Sequence, residues 1–163
     1  MTELSTLSPS QLLVLHADIA DELRNRGVTR SSNNPLGDYA EHLFCKAFGW
    51  HQESNSVKAF DAIDQTTNLK YQIKARRLTE QNPSRQLSAI RNLDMKGFDT
   101  LAAALFDRSY KILRAALIPH YVILNYAKYI EHSNSWRFML HDKILMQQGV
   151  TDVTEQLRTA VDI

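Results

Sequence analysis

A single cysteine, Cys45, stands in the whole chain, so no disulfide can close within it and no cysteine-rich zinc cluster can be built. No apolar run reaches the roughly 18 residues of a membrane span, and the first residues lack the basic-then-apolar profile of a signal peptide. A cytoplasmic protein with no membrane partner is therefore expected. Internal repeats and low-complexity tracts are also missing. Charge of one sign is absent as well: 19 Lys and Arg against 18 Asp and Glu leave a net +1, which excludes a general polycation and leaves a local patch as the only source of affinity for nucleic acid. What is present, 163 residues of which 44% are hydrophobic, suits one compact domain with a real core.

The most informative stretch is F-D-A-I-D-Q-T-T-N-L-K-Y-Q-I-K-A-R-R, residues 60 to 77. Phe60, Ala62 and Ile63 lead into the turn formers Asp64 to Asn68. Leu69, Tyr71 and Ile73 then alternate with Lys70, Gln72 and Lys74 at the period of a half-buried strand. If the two strands pair, Asp61 lies near the edge that carries Gln72 and Lys74. A carboxylate, a carboxamide and an ammonium in one small space suit a hard divalent cation beside a phosphodiester, with the lysine countering charge that builds on phosphorus. The local basic patch begins here: Lys70, Lys74, Arg76, Arg77, Arg85, Arg91 and Lys96 face only Glu80 and Asp94 along this segment. A solvated loop face is the competing reading of such a run.

Upstream, Ser8-Pro9-Ser10-Gln11 marks a helix start with a capping box. Leu12, Leu15, Ile19 and Leu23 form its apolar face, expected to pack on the body, and Gly27 ends it. Asn33, Asn34 and Pro35 introduce a second helix, buried through Leu36, Ala40, Leu43, Phe44, Ala47 and Phe48 and stopped by Gly49. Glu41 falls at the margin of that stripe, where it can reach a sheet edge, while Asp38 and Cys45 are expected nearer solvent. Residues 50–57 read as an edge strand, and residues 82–90 as turn residues followed by a short helix carrying or just following Arg85 and Gln86. Leu101 to Phe106 and Ile112 to Ile118 read as buried strands. Pro119 opens a helix expected to extend to Tyr129, Trp136 to Leu140 reads as a late strand, and Asp152 to Glu155 is a capping-box signature for a last helix with Val153, Leu157 and Val161.

The assembled order, together with R-S-S-N-N-P-L-G-D-Y-A-E and Y-Q-I-K-A-R-R, resembles the PD-(D/E)xK superfamily, in a small bacterial branch with a QxK motif. The likeness covers about residues 34 to 118. It implies an α/β, restriction-endonuclease-like core in αβββαβ order, with a central mixed sheet flanked by helices and helical additions at both ends. In that pattern Asp61 matches the aspartate of the first motif, Lys74 the lysine of the second, and Glu41 the frequent helical glutamate. Gln72 replaces the usual acid, removing one negative ligand although its carboxamide oxygen can still coordinate. The resemblance implies a nuclease, acting on DNA more than RNA, with Asp61, Glu41 and Gln72 holding Mg²⁺ (or Mn²⁺). Lys70, Arg76, Arg77 and Arg85 would grip flanking phosphates, and Asn33 and Asn34 would line the mouth of the site or serve as helix caps. A homodimer, with a partner protein supplying specificity, fits the same pattern. The alternative is a nuclease fold that has lost turnover and keeps nucleic-acid binding.

Overall fold

The computed structural model describes residues 3–54 and 59–161. Its elements are α1 (Pro9–Asn25), α2 (Leu36–Phe48), β1 (His51–Gln52), β2 (Ala62–Ile63), β3 (Lys70–Arg77), β4 (Thr100–Phe106), β5 (Ile112–Pro119), α3 (His120–Tyr126), β6 (Lys128–Ile130), β7 (Ser135–Arg137), α4 (Asp142–Leu145), β8 (Thr151–Asp152) and α5 (Thr154–Thr159). A mixed six-stranded sheet has the order β1-β2-β3-β4-β5-β8, and β6 and β7 form a separate ribbon. Among the described residues only the β3 and β4 pair is parallel; the other pairs of this sheet are antiparallel. The protein is thus an α/β domain built on a mixed sheet.

Why β4 sits at the centre follows from its composition. Leu101 to Phe106 are all buried, so the strand has no polar face and must be covered on both sides. On one side Ala102, Ala104 and Phe106 pack with Tyr71 and Ile73 of β3, Ala40, Leu43 and Phe44 of α2, and Leu157 of α5. On the other, Leu101, Ala103 and Leu105 join Val122 and Ile123 of α3, Ile144 of α4, and the loop residues Leu87, Ile90 and Phe138. The expected buried strands are therefore present despite their alanine content, because tertiary burial outweighs alanine's helix preference.

Several expectations are corrected. The residues 82–90 form no helix; a single 3-10 turn, Leu93–Met95, is the only helical piece between β3 and β4. Their backbone groups find partners far away in sequence: Leu87 N–H donates to the Phe138 carbonyl and Ile90 exchanges bonds with Trp136. Arg85 accordingly lies in irregular chain. Local propensity loses here because these distant chains satisfy the backbone and bury Leu87 and Ile90 at the same time. The third helix stops at Tyr126, and Tyr129 instead belongs to β6. The late strand is only Ser135–Arg137. Before α5, Asp152 Oδ1 accepts from the Thr154 N–H and hydroxyl, but no reciprocal box with Glu155 forms and Val161 is exposed.

Helix α1 has its expected capping box between Ser8 and Gln11, and Gly27 follows it with φ of +69°. None of its residues is buried, however, and Leu12 and Ile19 are 39% and 53% exposed. Amphipathic spacing identifies the face that can be buried, not whether a surface lies opposite it. Between α1 and the body runs an apolar trough of about 530 Å³ lined by Ile19, Leu23, Val28, Pro35, Tyr39 and Tyr110. No helix among the described residues is long and apolar enough to cross a membrane.

Candidate functional site

The hairpin between β2 and β3 is held by its turn residues. Asp64 Oδ1 accepts the N–H groups of Thr66 and Thr67, and Asn68 adopts φ of +62°, so Lys70 to Arg77 turn back beside Ala62 and Ile63. The regular ladder begins only at Ala62, which pairs with Tyr71. Immediately before it, the Asp61 N–H still reaches the Tyr71 carbonyl at 2.8 Å, while Asp61 Oδ2 accepts the Ile73 N–H at 2.7 Å. A side-chain oxygen thereby replaces the backbone acceptor that a longer β2 would have supplied. This fixes the Asp61 carboxylate at the open end of the ladder.

The odd residues of β3 belong to the core under α2, so Gln72, Lys74 and Arg76 point to the opposite face of the sheet. Glu41 approaches from α2. Asp61 is the group that meets both sides: the positive charges of Lys74 and Arg30 act on it, and its own charge acts on Glu41. Burial pushes both carboxyls above their ordinary range. For Asp61 the opposing influences are the Ile73 N–H, then Lys74, then Arg30; for Glu41 burial is opposed by the Gln52 amide and by Arg30, with Asp61 adding to the rise.

Sequence reading missed Arg30. Its guanidinium forms an ion pair with Glu41 Oε2 and donates to the Glu53 carbonyl at 2.6 Å. Its backbone N–H donates to Asp38 Oδ2, which also accepts the N–H and hydroxyl of Ser31. Asp38 and Cys45, expected nearer solvent, therefore share the flank of Glu41. Positions 38, 41 and 45 lie on one helical face, and the loop preceding α2 folds over that face. Nothing local in the sequence announces the Arg30–Glu41 pair, because the partners come together only when this loop doubles back.

Cys45 feels the same surroundings. Burial, reinforced by Glu41 and Asp61 and opposed by Arg30, pushes its thiol up to about 12. Thiolate is then scarce at pH 8, and alkylation by iodoacetamide is expected to be at least about a hundredfold slower than in the chain unfolded in denaturant. Equal rates in the two states, followed by mass spectrometry, contradict the buried placement of this flank.

Arg30, Ser31, Asn33, Asp38, Glu53, Ser54 and Asp61 line a polar hollow of about 240 Å³. Among the described residues, no three histidine, cysteine, aspartate or glutamate side chains gather into a group that could hold a metal ion. Glu41 and Gln72 are not among the residues lining the hollow; a cation held by Asp61 and Glu41 would rest on two carboxylates and neutral oxygens, a donor set that suits Mg²⁺, which is hard and retains several waters, and not zinc. Gln72 is 8% exposed and its Oε1 has no hydrogen-bond partner. An orphan buried acceptor is costly, and a hard cation is one group that would satisfy it.

The remaining expected residues disperse. Arg76 and Arg77 occupy opposite faces of β3: Arg76 Nε is buried without a partner, whereas the Arg77 guanidinium lies over the Tyr110 ring at 4.8 Å. Adjacent strand residues cannot share a face, so these two do not form one clamp. Lys70 sits over the Phe60 ring at 5.1 Å. Arg85 pairs with Asp142 at 2.8 Å. Asn33 borders the hollow, while Asn34 Oδ1 accepts the Leu36 N–H at 3.0 Å just ahead of α2, whose N-cap is Pro35. Asp61 thus feels the charge of Lys74 and acts on Glu41, while Glu41 on α2 and the Gln72 and Lys74 side chains of β3 belong to opposite faces of the sheet. Comparison with known proteins adds no relative: no family model matches the chain, and no curated protein matches it.

Proposed function

We propose that the chain is a metal-dependent nuclease with a restriction-endonuclease-like core, hydrolysing phosphodiester bonds in nucleic acid, DNA in preference to RNA. The observation that carries this reading is Asp61: a half-buried carboxylate at the broken end of β2, within electrostatic reach of Glu41, Lys74 and Arg30 beside a polar hollow. Half-buried carboxyls with raised affinity for protons and an amine nearby are a pattern that working sites share with structural ion-pair networks. The order α2, β1, β2, β3, β4 supports the fold comparison, although the link from β3 to β4 lacks the helix of the αβββαβ pattern.

Asp61 and Glu41, with the Gln72 carboxamide oxygen, are the residues that would hold Mg²⁺. Bound there, the ion would supply Lewis-acid polarisation of the phosphate and a lower pKa for water. Lys74 neutralises charge accumulating on the phosphorus oxygens or orients the attacking water. Asp61, held by the Ile73 N–H, keeps its position through the reaction. Arg76 offers a donor for a flanking phosphate from the face that carries Lys74, a contact that positions the backbone without reading bases. Cutting both strands of a duplex needs two such sites, so a pair of copies is part of the proposal, as is a cytoplasmic location and a partner protein that selects the target.

One observation favours a second reading, a binding module without turnover: Glu41 Oε2 already accepts from both Arg30 and Gln52, and Gln72 brings no charge. Incubation with plasmid DNA, single-stranded DNA and RNA separates the two. The nuclease produces nicks or breaks with Mg²⁺ or Mn²⁺ and none in chelator. Salt-dependent binding that persists in chelator, with no cleavage by either ion, selects the binding module.

A further inference from the structure

We propose that α1 is the contact between two copies of this chain, the two helices pairing antiparallel about a two-fold axis and each lying along the other copy's apolar trough. A pair of copies belongs to the nuclease reading, but α1 supplies separate grounds, so the interface stands or falls apart from the chemistry at Asp61. None of the 17 residues of α1 is buried, and Leu12, Leu13, Val14 and Ile19 are all exposed. The body covers the helix only in part, leaving Leu15, Ala20 and Leu23 half-buried. A helix in a protein takes most of its stability from packing an apolar face, and that packing is incomplete here.

The open face matches itself. Leu12, His16, Ile19 and Leu23 follow at steps of four, three and four residues, which sets them along one seam of the helix. That series reads the same in both directions. A two-fold axis passing between positions 17 and 18 places Leu12 of one copy against Leu23 of the other, and His16 against Ile19, as an isologous contact requires. Asp18, Asp21 and Arg24 lie round the helix from the seam and stay in water.

Fewer than two heptads hold a helix pair weakly by themselves, so the trough has to contribute. Ile19 and Leu23 line it together with Val28, Pro35, Tyr39 and Tyr110, and a second α1 laid along the opening meets the seam and the body at once. Area points the same way. The chain exposes 10287 Å² of surface, whereas a compact monomer of 18.7 kDa exposes roughly 8,300 Å². The surplus exceeds the roughly 800 Å² that each partner buries in a standard interface. A second copy is the partner that carries the matching stripe by construction.

Sedimentation velocity at micromolar concentrations, without nucleic acid, tests the interface on wild type, Ile19→Glu, Leu12→Glu, Asp21→Ala and the double variant His16→Lys with Ile19→Glu. Wild type is expected to sediment as a dimer. Ile19→Glu should weaken the pair by at least about a hundredfold, because two carboxylates are then pressed against apolar side chains at once. Asp21→Ala, off the seam, should change nothing. In the double variant each lysine meets the other copy's glutamate, and pairing should return. Circular dichroism checks that each variant keeps its helix, and Leu12→Glu carries the measurement if Ile19→Glu does not fold. A wild type that stays monomeric overturns the interface, as does a dimer indifferent to glutamate at both positions. A double variant that regains no pairing overturns the antiparallel register. Cleavage of single-stranded DNA needs one site only, so its presence or absence judges the nuclease reading separately.

Discussion

Asp61→Asn and Lys74→Ala are each expected to slow nucleic-acid cleavage by about 10²–10³-fold, the scale seen when one preorganised charge or donor is lost from an active site. The two variants should part company in stability. Asparagine can keep accepting the Ile73 N–H through its amide oxygen, while the charge that burial penalises disappears. Because the Asp61 carboxyl is raised in the fold, its contribution is favourable at acid pH and is lost as pH rises through the folded value. Near neutrality, Asp61→Asn should melt no lower than wild type. Alanine would instead leave the Ile73 N–H without its acceptor, which is why asparagine is the cleaner substitution. Thermal melts beside a plasmid-cleavage assay check both halves. Undiminished cutting by Lys74→Ala would show that the chemistry lies elsewhere.

Phe44→Ala is expected to cost about 3–5 kcal/mol of folding stability, a large share of the roughly 5–15 kcal/mol that holds a domain together. Phe44 is fully buried, with its ring centroid 6.1 Å from that of Trp50 and 6.2 Å from that of Phe48. Trp50 stacks on Tyr71 of β3 at 3.7 Å. This ladder of rings fastens α2 to the strand that bears Gln72 and Lys74, so truncation opens a cavity between the helix carrying Glu41 and the sheet. Urea unfolding followed by tryptophan fluorescence measures the loss. A change below about 1 kcal/mol, the level of ordinary surface substitutions and small adjustments, would contradict the packing described for this face.

The hairpin and the second helix were legible because their signals are local. Turn formers from Asp64 to Asn68, alternation through Ile73 and the 3.6-residue stripe from Ala40 to Phe44 each specify an element without reference to the rest of the chain. The fate of residues 82–90 was not legible, because the bonds that fix them come from Trp136 and Phe138, 46 residues from Ile90 and 51 from Leu87. The stripe of α1 was misread for the converse reason: a local pattern has no means of reporting how closely the opposite surface approaches, and here an apolar trough is left between the helix and Tyr39 and Tyr110.

The same division runs through the site. Residue order alone determined which groups were available: a carboxylate before a short strand, glutamine and lysine alternating on the next, and a glutamate on the flank of a helix. Tertiary structure decided that Asp61 leaves the ladder to accept the Ile73 N–H, that Arg30 returns to Glu41, and that Arg76 and Arg77 face apart under different covers. Chain periodicity encodes direction along one element, whereas charge neighbours and burial depend on how separate elements meet, and their energies exist only after the sheet and its two covering layers have closed.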